Sequence, residues 1–302
     1  MADLTANAQD VTRRADGNAS DDGPDGGVIT SQACATCNSA GASVSQGAPS
    51  FIYGLGRIDA RFPSLSVEKE YTQALGRSST TGLSDRQAFH ASLARRENRY
   101  ITRQLCWVLT MQGIDTYLLV LRDSADLDLM VNAIAPTSAP PVNAVIGVRG
   151  PLAPVGYCNG LSLPIVIVDQ LYTFDRASFV SAVPMPTGVP ADSFGPAVEE
   201  LFDRVLQITD NAGATEEHRA LNYLAMRYPA VYAKVAEEHA ANGSLDGVEC
   251  RASRLSGART VIDVILSFSD RAIGVQKKYF VRVDVTEEFP FIVTRLSPYF
   301  DR

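Results

Sequence analysis

The sequence predicts an α+β protein built of two packed parts behind an acidic N-terminal tail. Segments typical of helices and of buried strands alternate from about residue 50 to residue 183. After residue 195 come three segments with helical spacing of apolar residues, and then runs rich in β-branched and aromatic residues. With 302 residues, the chain is long enough for one large or two small domains. The expected parts are residues 1–48, 49–183 and 195–302.

Residues 1–48 form the expected tail. They consist mainly of Ala, Asp, Gly, Ser and Asn and carry few large apolar side chains. Such a composition cannot offset the entropy lost on ordering, so we expect disorder up to about Phe51. The exception in composition is a C-x-x-C motif formed by Cys34 and Cys37.

The N-terminal part, residues 49–183, is predicted to mix helices and strands. Ser84 and Gln87 fit a capping box that begins one helix, and Asp123 or Ser124 caps another. Helices are expected at about residues 66–77, 84–94, 98–111 and after residue 123, and buried strands at 116–121, 142–148 and 163–168.

Three prolines between residues 184 and 190 mark the boundary between the two parts, because they continue neither a helix nor a central strand. Beyond it, helices are expected at about residues 196–211, 216–227 and 230–241, and strands at 260–268, 277–286 and 289–296. The first two of these strands flank a short polar turn, which predicts an antiparallel hairpin.

Composition argues against several classes of protein. The formal net charge of −7 disfavours phosphate binding, so no nucleic-acid partner is expected. No run of about 18 apolar residues is present to span a membrane, and the N-terminus lacks the apolar segment of a secretory signal. Five cysteines, an odd number, do not suggest a disulfide framework. We therefore expect a cytoplasmic protein.

Motifs for nucleotide binding and for hydrolysis are incomplete. Gly54 and Gly56 begin a G-x-G pattern, but Asp59 stands where a dinucleotide fingerprint needs its third glycine. A plain turn and no nucleotide are expected there. The sequence has no G-x-S-x-G elbow, and its three histidines lie on predicted helices among charged or polar residues. Solvated histidines are favoured over general bases, so no catalytic residue is assigned.

The cysteines are candidates for a metal site. Two thiolates at C-x-x-C spacing can share one tetrahedral ion, and Cys106 and Cys158 can complete a four-cysteine zinc site that ties the tail to the core. Spacing alone leaves open inert buried thiols at these two positions and a redox pair at Cys34 and Cys37. Cys250 is interpreted as a plain thiol.

The closing strands suggest a binding surface. Residues 278–285 and 291–295 alternate in polarity along the chain. If one of these strands is an exposed sheet edge, it can accept an extended peptide through main-chain hydrogen bonds. An ordinary paired sheet is the alternative.

Several long and irregular stretches resemble the C-terminal domain of PatG-type cyanobactin maturation proteases. They are residues 53–70 (YGLGRIDARFPSLSVEKE), 98–110 (NRYITRQLCWVLT), 145–151 (VIGVRGP), 158–161 (CNGL), 211–223 (NAGATEEHRALNY) and 279–302. The resemblance covers nearly everything after residue 30. In that family the domain follows a subtilisin-like protease or macrocyclase domain, whose Ser/His/Asp set and signature this sequence lacks.

The resemblance implies a non-catalytic protein. Stand-alone relatives occur in pathways for ribosomally made, post-translationally modified peptides, including crocagin-type pathways, where they bind the precursor peptide. We therefore expect a protein that presents a precursor peptide to its modifying enzymes and that forms a homodimer. The family's cysteines match Cys34, Cys37, Cys106 and Cys158, which implies structural zinc with no open coordination position.

Two other functions are open. A peptide cyclase or hydrolase acting on the precursor peptide would use His218 with Asp210 or Arg219, aided by the proximity of the bound peptide's reacting groups. A structural subunit of the modifying complex would co-purify with the enzymes without binding the peptide itself.

Overall fold

A computed structural model describes residues 50–76, 82–137 and 141–300. These residues belong to one compact unit, residues 46–302. The predicted tail, with Cys34 and Cys37, lies outside the described residues. No helix in the described ranges is long and apolar enough to cross a membrane.

The N-terminal part is a closed five-stranded barrel with the strand order β1-β2-β3-β5-β4. Neighbouring strands are antiparallel except β3 and β5, which are parallel. The strands are β1 (Ser50–Arg61), β2 (Cys106–Met111), β3 (Ile114–Leu121), β4 (Val142–Leu152) and β5 (Pro164–Phe174). The helices of this part are α1 (Leu65–Gly76), α2 (Asp85–Leu93), α3 (Arg99–Thr102), α4 (Leu127–Ala133) and α5 (Arg176–Ala182).

The C-terminal part consists of three helices followed by a four-stranded antiparallel sheet of order β6-β7-β8-β9. The helices are α6 (Ala191–Leu206), α7 (Glu216–Arg227) and α8 (Pro229–Ala240). The strands are β6 (Gly243–Ala252), β7 (Val261–Asp270), β8 (Gln276–Asp284) and β9 (Phe291–Pro298). The α+β prediction, with three helices and antiparallel strands at the C-terminal end, is confirmed.

The two faces of β1 serve two different cores. Ile52 and Ile58 point into the barrel, where they meet residues of β2, β4 and β5. Tyr53 and Leu55 point outward, as the alternation of a strand requires, and join the buried face of α6–α8 and of the sheet. The outer core is therefore shared between barrel strands and the C-terminal helices.

One predicted helix, over residues 98–111, is wrong in its second half. The structure has one helical turn, α3, and then the strand β2. Trp107 and Leu109 face the barrel interior, whereas Cys106 and Val108 pack with Cys158 in a separate cluster. A strand that is apolar on both faces lacks the alternation that distinguishes it from a helix, which explains the error.

The turn predicted at Gly54 and Gly56 is also wrong, because both residues lie inside β1. A Cβ atom on Gly56 would lie 2.5 Å from the carbonyl oxygen of Thr110, and one on Gly54 would lie 2.5 Å from the Met111 side chain. The glycines thus permit β1 and β2 to approach closely inside the barrel.

Two further differences concern the C-terminal part. Strand β6 is absent from the sequence prediction, and Cys250, expected near a loop, lies within it. Helix α6 begins at Ala191 rather than near Pro196, so the proline lies inside the helix rather than at its start.

Candidate functional site

A large cleft of about 820 Å³ lies between one end of the barrel and helix α6. Its apolar lining, here called the floor, includes Leu55, Pro141, Val142 and Leu206, and its charged lining residues are here called the rim. Clefts of this size, with an apolar floor and a few polar groups, are typical ligand sites. The cleft needs both parts of the chain, since β1 and β4 supply one wall and α6 the other.

Gln112 joins these two walls. It lies in the turn between β2 and β3 with a positive φ of 50°. Its side-chain amide donates to the carbonyl oxygens of Leu206, at 2.9 Å, and Ile208, at 2.8 Å. Leu206 is the last residue of α6, where carbonyl groups lack partners within the helix, and the Ile208 carbonyl two residues further also accepts from the backbone N–H of Asn211. Gln112 thereby fixes the position of the helix end beside the barrel.

The rim of the cleft carries two arginine–aspartate pairs of unequal strength. Arg176 and Asp203 make a bidentate pair, with one hydrogen bond of 3.0 Å. Arg57 and Asp59 are 3.7 Å apart, which is too long for a hydrogen bond. Arg57 lines the cleft and its side chain is 46% exposed. Arg57 is thus the rim cation with the most freedom to bind a ligand carboxylate or carbonyl group.

Strand β9 confirms that one of the closing strands lies at a sheet edge. Among the described strands it is hydrogen-bonded to β8 alone. Two register shifts interrupt that pairing, however, and the backbone N–H of Leu296 donates to the hydroxyl of Tyr228 at 3.1 Å. Bulges and such contacts hinder the addition of a regular strand. Peptide binding at this edge stays a prediction, and the cleft is the better-formed site.

Two neighbouring carboxyl groups, Asp169 on the barrel and Glu288 in the loop before β9, affect each other's ionisation. Asp169 of β5 is paired with Arg122, with one bond of 3.0 Å, and this hydrogen bond holds its pKa below the usual range. Burial, together with the hydrogen bond to Asp169 and the charge of Asp169, raises the pKa of Glu288 to about 7. Two carboxyl groups in contact share a proton, so Glu288 is the protonated partner at moderately acidic pH.

The structure brings together two of the four predicted zinc ligands. Cys106 and Cys158 are both buried and form a disulfide. The sequence suggests inert buried thiols or zinc ligands at these two positions, and neither interpretation predicts a disulfide. A disulfide sulfur is not a thiolate ligand, and Cys34 and Cys37 lie outside the described residues, so the four-cysteine zinc site stays a prediction. Cys250 is free, and burial raises the pKa of its thiol to about 12, as suits a plain thiol.

The residues proposed for an enzymatic alternative lie at the start of α7. Arg219 is buried and donates to the carbonyl oxygens of Val285, at 2.8 Å, Glu287 and Glu288. It therefore holds the loop before β9. Burial lowers the pKa of His218, against the opposing charges of Glu217 and Asp210. The Nδ1 atom of His218 is buried without a hydrogen-bond partner in the described part of the chain.

The segment 211–223 has an evident structural task that sequence reasoning missed. Asn211 and Asn222 exchange amide hydrogen bonds of 2.8 and 3.1 Å, and Gly213 accepts from the backbone N–H of Tyr53 at 2.9 Å. This network docks the start of α7 against β1. The only sequence feature that marks this network is the Asn-Ala-Gly motif at residues 211–213, and the spacing of apolar residues does not indicate it.

Comparison with known proteins supports the resemblance found in the sequence. Residues 189–299 match a family model described as PatG C-terminal. A solved structure described as the PatG Domain of Unknown Function has the same fold, with a TM-score of 0.67 and 21% sequence identity. The alignment covers 83% of this chain and 98% of that one. No curated protein matches the chain in sequence.

Proposed function

We propose that this chain binds a precursor peptide of ribosomal peptide biosynthesis and presents it to modifying enzymes. The likeness to PatG is consistent with a role in such a pathway. The observation that carries the proposal is the cleft between the barrel and α6. Its apolar floor accommodates side chains of a peptide, and its charged rim binds polar groups at the surface.

The direct test is a titration of the full-length protein against a labelled synthetic copy of the precursor peptide, followed by fluorescence anisotropy. Micromolar or tighter binding is expected. Leader-only and core-only peptides then show which part is bound. No binding at high protein concentration contradicts the proposal, and co-purification with modifying enzymes would then favour a structural subunit.

Cleft variants locate the site. Gln207 is exposed, lines the cleft and contributes nothing to the core, so Gln207→Trp fills the cleft without disturbing the fold. The matched control is Lys69→Trp, an exposed position on α1. We expect the cleft variant to weaken binding about tenfold, which corresponds to about 1.4 kcal/mol, and the control to leave binding unchanged. Equal affinities would place the peptide elsewhere.

Peptide mass distinguishes binding from catalysis. A binding protein leaves the mass of the peptide unchanged when the two are incubated without other enzymes. Loss of water or cleavage that disappears in His218→Ala would instead support the cyclase or hydrolase.

The zinc site and the homodimer are part of the proposal. Zinc would be held by the thiolates of Cys34, Cys37, Cys106 and Cys158, and four thiolates would give it a structural role. One zinc ion per chain is expected in protein purified under reducing conditions, with loss of that ion in Cys106→Ser.

The homodimer is tested separately. Light scattering coupled to gel filtration measures whether the chain is a dimer.

A further inference from the structure

We propose that a second, aromatic pocket beside Tyr53 is a binding subsite for one aromatic ring that carries a hydrogen-bonding group, as the phenol of a tyrosine side chain does. The pocket has a volume of about 300 Å³ and lies between β1, the end of β5, α5 and α7. It shares no lining residue with the cleft. The inference therefore does not depend on peptide binding in the cleft.

The Tyr53 hydroxyl points to a ligand. Tyr53 is 1% exposed and lines the pocket, yet its hydroxyl makes no hydrogen bond of normal geometry with any described residue. A buried hydroxyl without a partner costs free energy, so native proteins rarely keep one. Tyr232 is equally buried, and its hydroxyl donates to the carbonyl oxygen of Ala225 at 2.8 Å. The contrast suggests that the partner of the Tyr53 hydroxyl arrives with a bound molecule.

The walls of the pocket select an aromatic occupant. Phe174 and Phe179 lie with their ring centroids 5.5 Å apart, and Tyr172 also lines the pocket. Aromatic rings attract further rings in tilted and edge-to-face geometries, beyond the effect of buried area alone. Tyr172 is 37% exposed, so the pocket opens to solvent beside it.

Arg227 makes the entrance polar. Its guanidinium lies over the ring of Tyr172, 4.6 Å from the centroid. Its charge and a poorly aligned side-chain contact with the Tyr53 hydroxyl lower the pKa of that hydroxyl and so oppose the effect of burial. Burial still dominates and raises the pKa of Tyr53 to about 12, so the hydroxyl is neutral at ordinary pH. A neutral hydroxyl donates and accepts, and a phenolic ligand can therefore bond to it in either direction.

The test uses p-cresol, which has the polar group, and toluene, which lacks it, as probes of the full-length protein. Each is titrated and followed by protein-observed NMR or calorimetry. We expect p-cresol to bind at least tenfold more tightly than toluene, and Tyr53→Phe to abolish this preference while leaving toluene binding unchanged. Ala182→Phe, at the exposed rim, should block both probes.

Three results would overturn the inference: equal affinities for the two probes, a preference that persists in Tyr53→Phe, or no binding of either probe at millimolar concentration. None of these alters the anisotropy result with the precursor peptide, so failure of the subsite and failure of the proposed function are separable.

Stability of the free protein gives a second, independent readout. Tyr53→Phe should leave the unfolding midpoint in urea unchanged or raise it, because it removes a hydroxyl that has no partner. Tyr232→Phe, the matched control, should lower it, because its hydroxyl is bonded. If the two variants lower the midpoint equally, the Tyr53 hydroxyl already has a partner within the chain and the subsite is refuted.

Discussion

The side-chain amide of Asn222 donates a 2.7 Å hydrogen bond to the backbone carbonyl oxygen of Tyr53, which precedes it by 169 residues. The same amide group exchanges hydrogen bonds with Asn211. All three residues are buried, so these bonds replace contacts with water. Asn222 thus links the first strand of the barrel to helix α7 and to the loop before it.

Replacement of Asn222 by leucine should destabilise the protein by about 3 kcal/mol. The change keeps the size of the side chain but leaves the carbonyl of Tyr53 without its side-chain donor, at about 1–3 kcal/mol for a buried group. It also removes both bonds to Asn211, whose amide keeps its bonds to Val205 and Gly213. Urea unfolding measures the loss. The control is Lys69→Leu, an exposed position on α1, with little expected effect. A loss below about 1 kcal/mol in Asn222→Leu would contradict the assigned role.

Gly213→Ala should destabilise the protein more than a positive φ alone explains. Gly213 has a φ of +67°, and an added Cβ would lie 2.3 Å from the carbonyl oxygen of Tyr53. Gly188 has a φ of +88° with nothing near an added Cβ, so Gly188→Ala measures the backbone effect, about 1–2 kcal/mol. We expect the Gly213 variant to lose clearly more in thermal or urea unfolding. Equal losses would show that α7 moves aside without cost.

Stability should depend on pH through Glu288. Its pKa is raised from 4.5 to about 7 in the folded chain, so its favourable contribution is complete below pH 4.5 and is lost as the pH rises through about 7. Asp169, whose pKa is lowered from 3.8, contributes stability above that pH and loses it only in more acidic solution, so its contribution does not change between pH 5 and pH 8. In Glu288→Gln, the amide keeps a donor for Asp169 and does not ionise.

The measurement is the unfolding free energy of wild type and Glu288→Gln at pH 5 and pH 8. Wild type should lose more unfolding free energy between pH 5 and pH 8 than Glu288→Gln does, so the variant is relatively more stable at pH 8. Glu287→Gln changes an exposed neighbour and serves as the control. A difference between wild type and Glu288→Gln that does not vary with pH would exclude the shared proton.

The bond between Cys106 and Cys158 closes a loop with a sequence separation of 52. In oxidised protein, the double change Cys106→Ala and Cys158→Ala should lower the unfolding free energy by about 2–4 kcal/mol, typical of a lost disulfide. Reductant should have the same effect on wild type and none on the variant. If a metal chelator lowers the unfolding free energy of reduced wild type, a bound metal ion such as zinc stabilises this region in the reduced protein. If only an oxidant changes it, the disulfide does.

Sequence patterns predicted those elements whose signals are local. Helix α7 has the predicted bounds, because Thr215 caps its start through the backbone N–H of His218 and Pro229 begins the next helix. The capping box at Ser84 and Gln87 is present as predicted. Such signals depend on neighbours a few residues away, which the sequence displays directly.

The closed barrel and the cleft depend on contacts between distant residues. Residues 106–109 are apolar on both faces of β2, so their spacing resembles that of a helix. The sequence predicts a turn at Gly56, whereas the structure shows that glycine is needed there because the backbone of Thr110 lies so close. Gln112 caps the end of a helix that lies more than 90 residues later in the chain, as the separations of its two bonds show. No local pattern contains that information.

The core shared by β1 and the C-terminal helices has a consequence for biosynthesis. As the chain leaves the ribosome, the outward side chains Tyr53 and Leu55 are made first, but the helices that cover them follow well over a hundred residues later. At a synthesis rate of about 5–20 residues per second, these apolar side chains stay uncovered by the helices for roughly ten seconds or more. Long-range closure of this kind also slows folding. The nascent chain is therefore a natural client for chaperones until α7 has emerged, and shortening the chain before that helix should yield aggregation rather than a folded barrel.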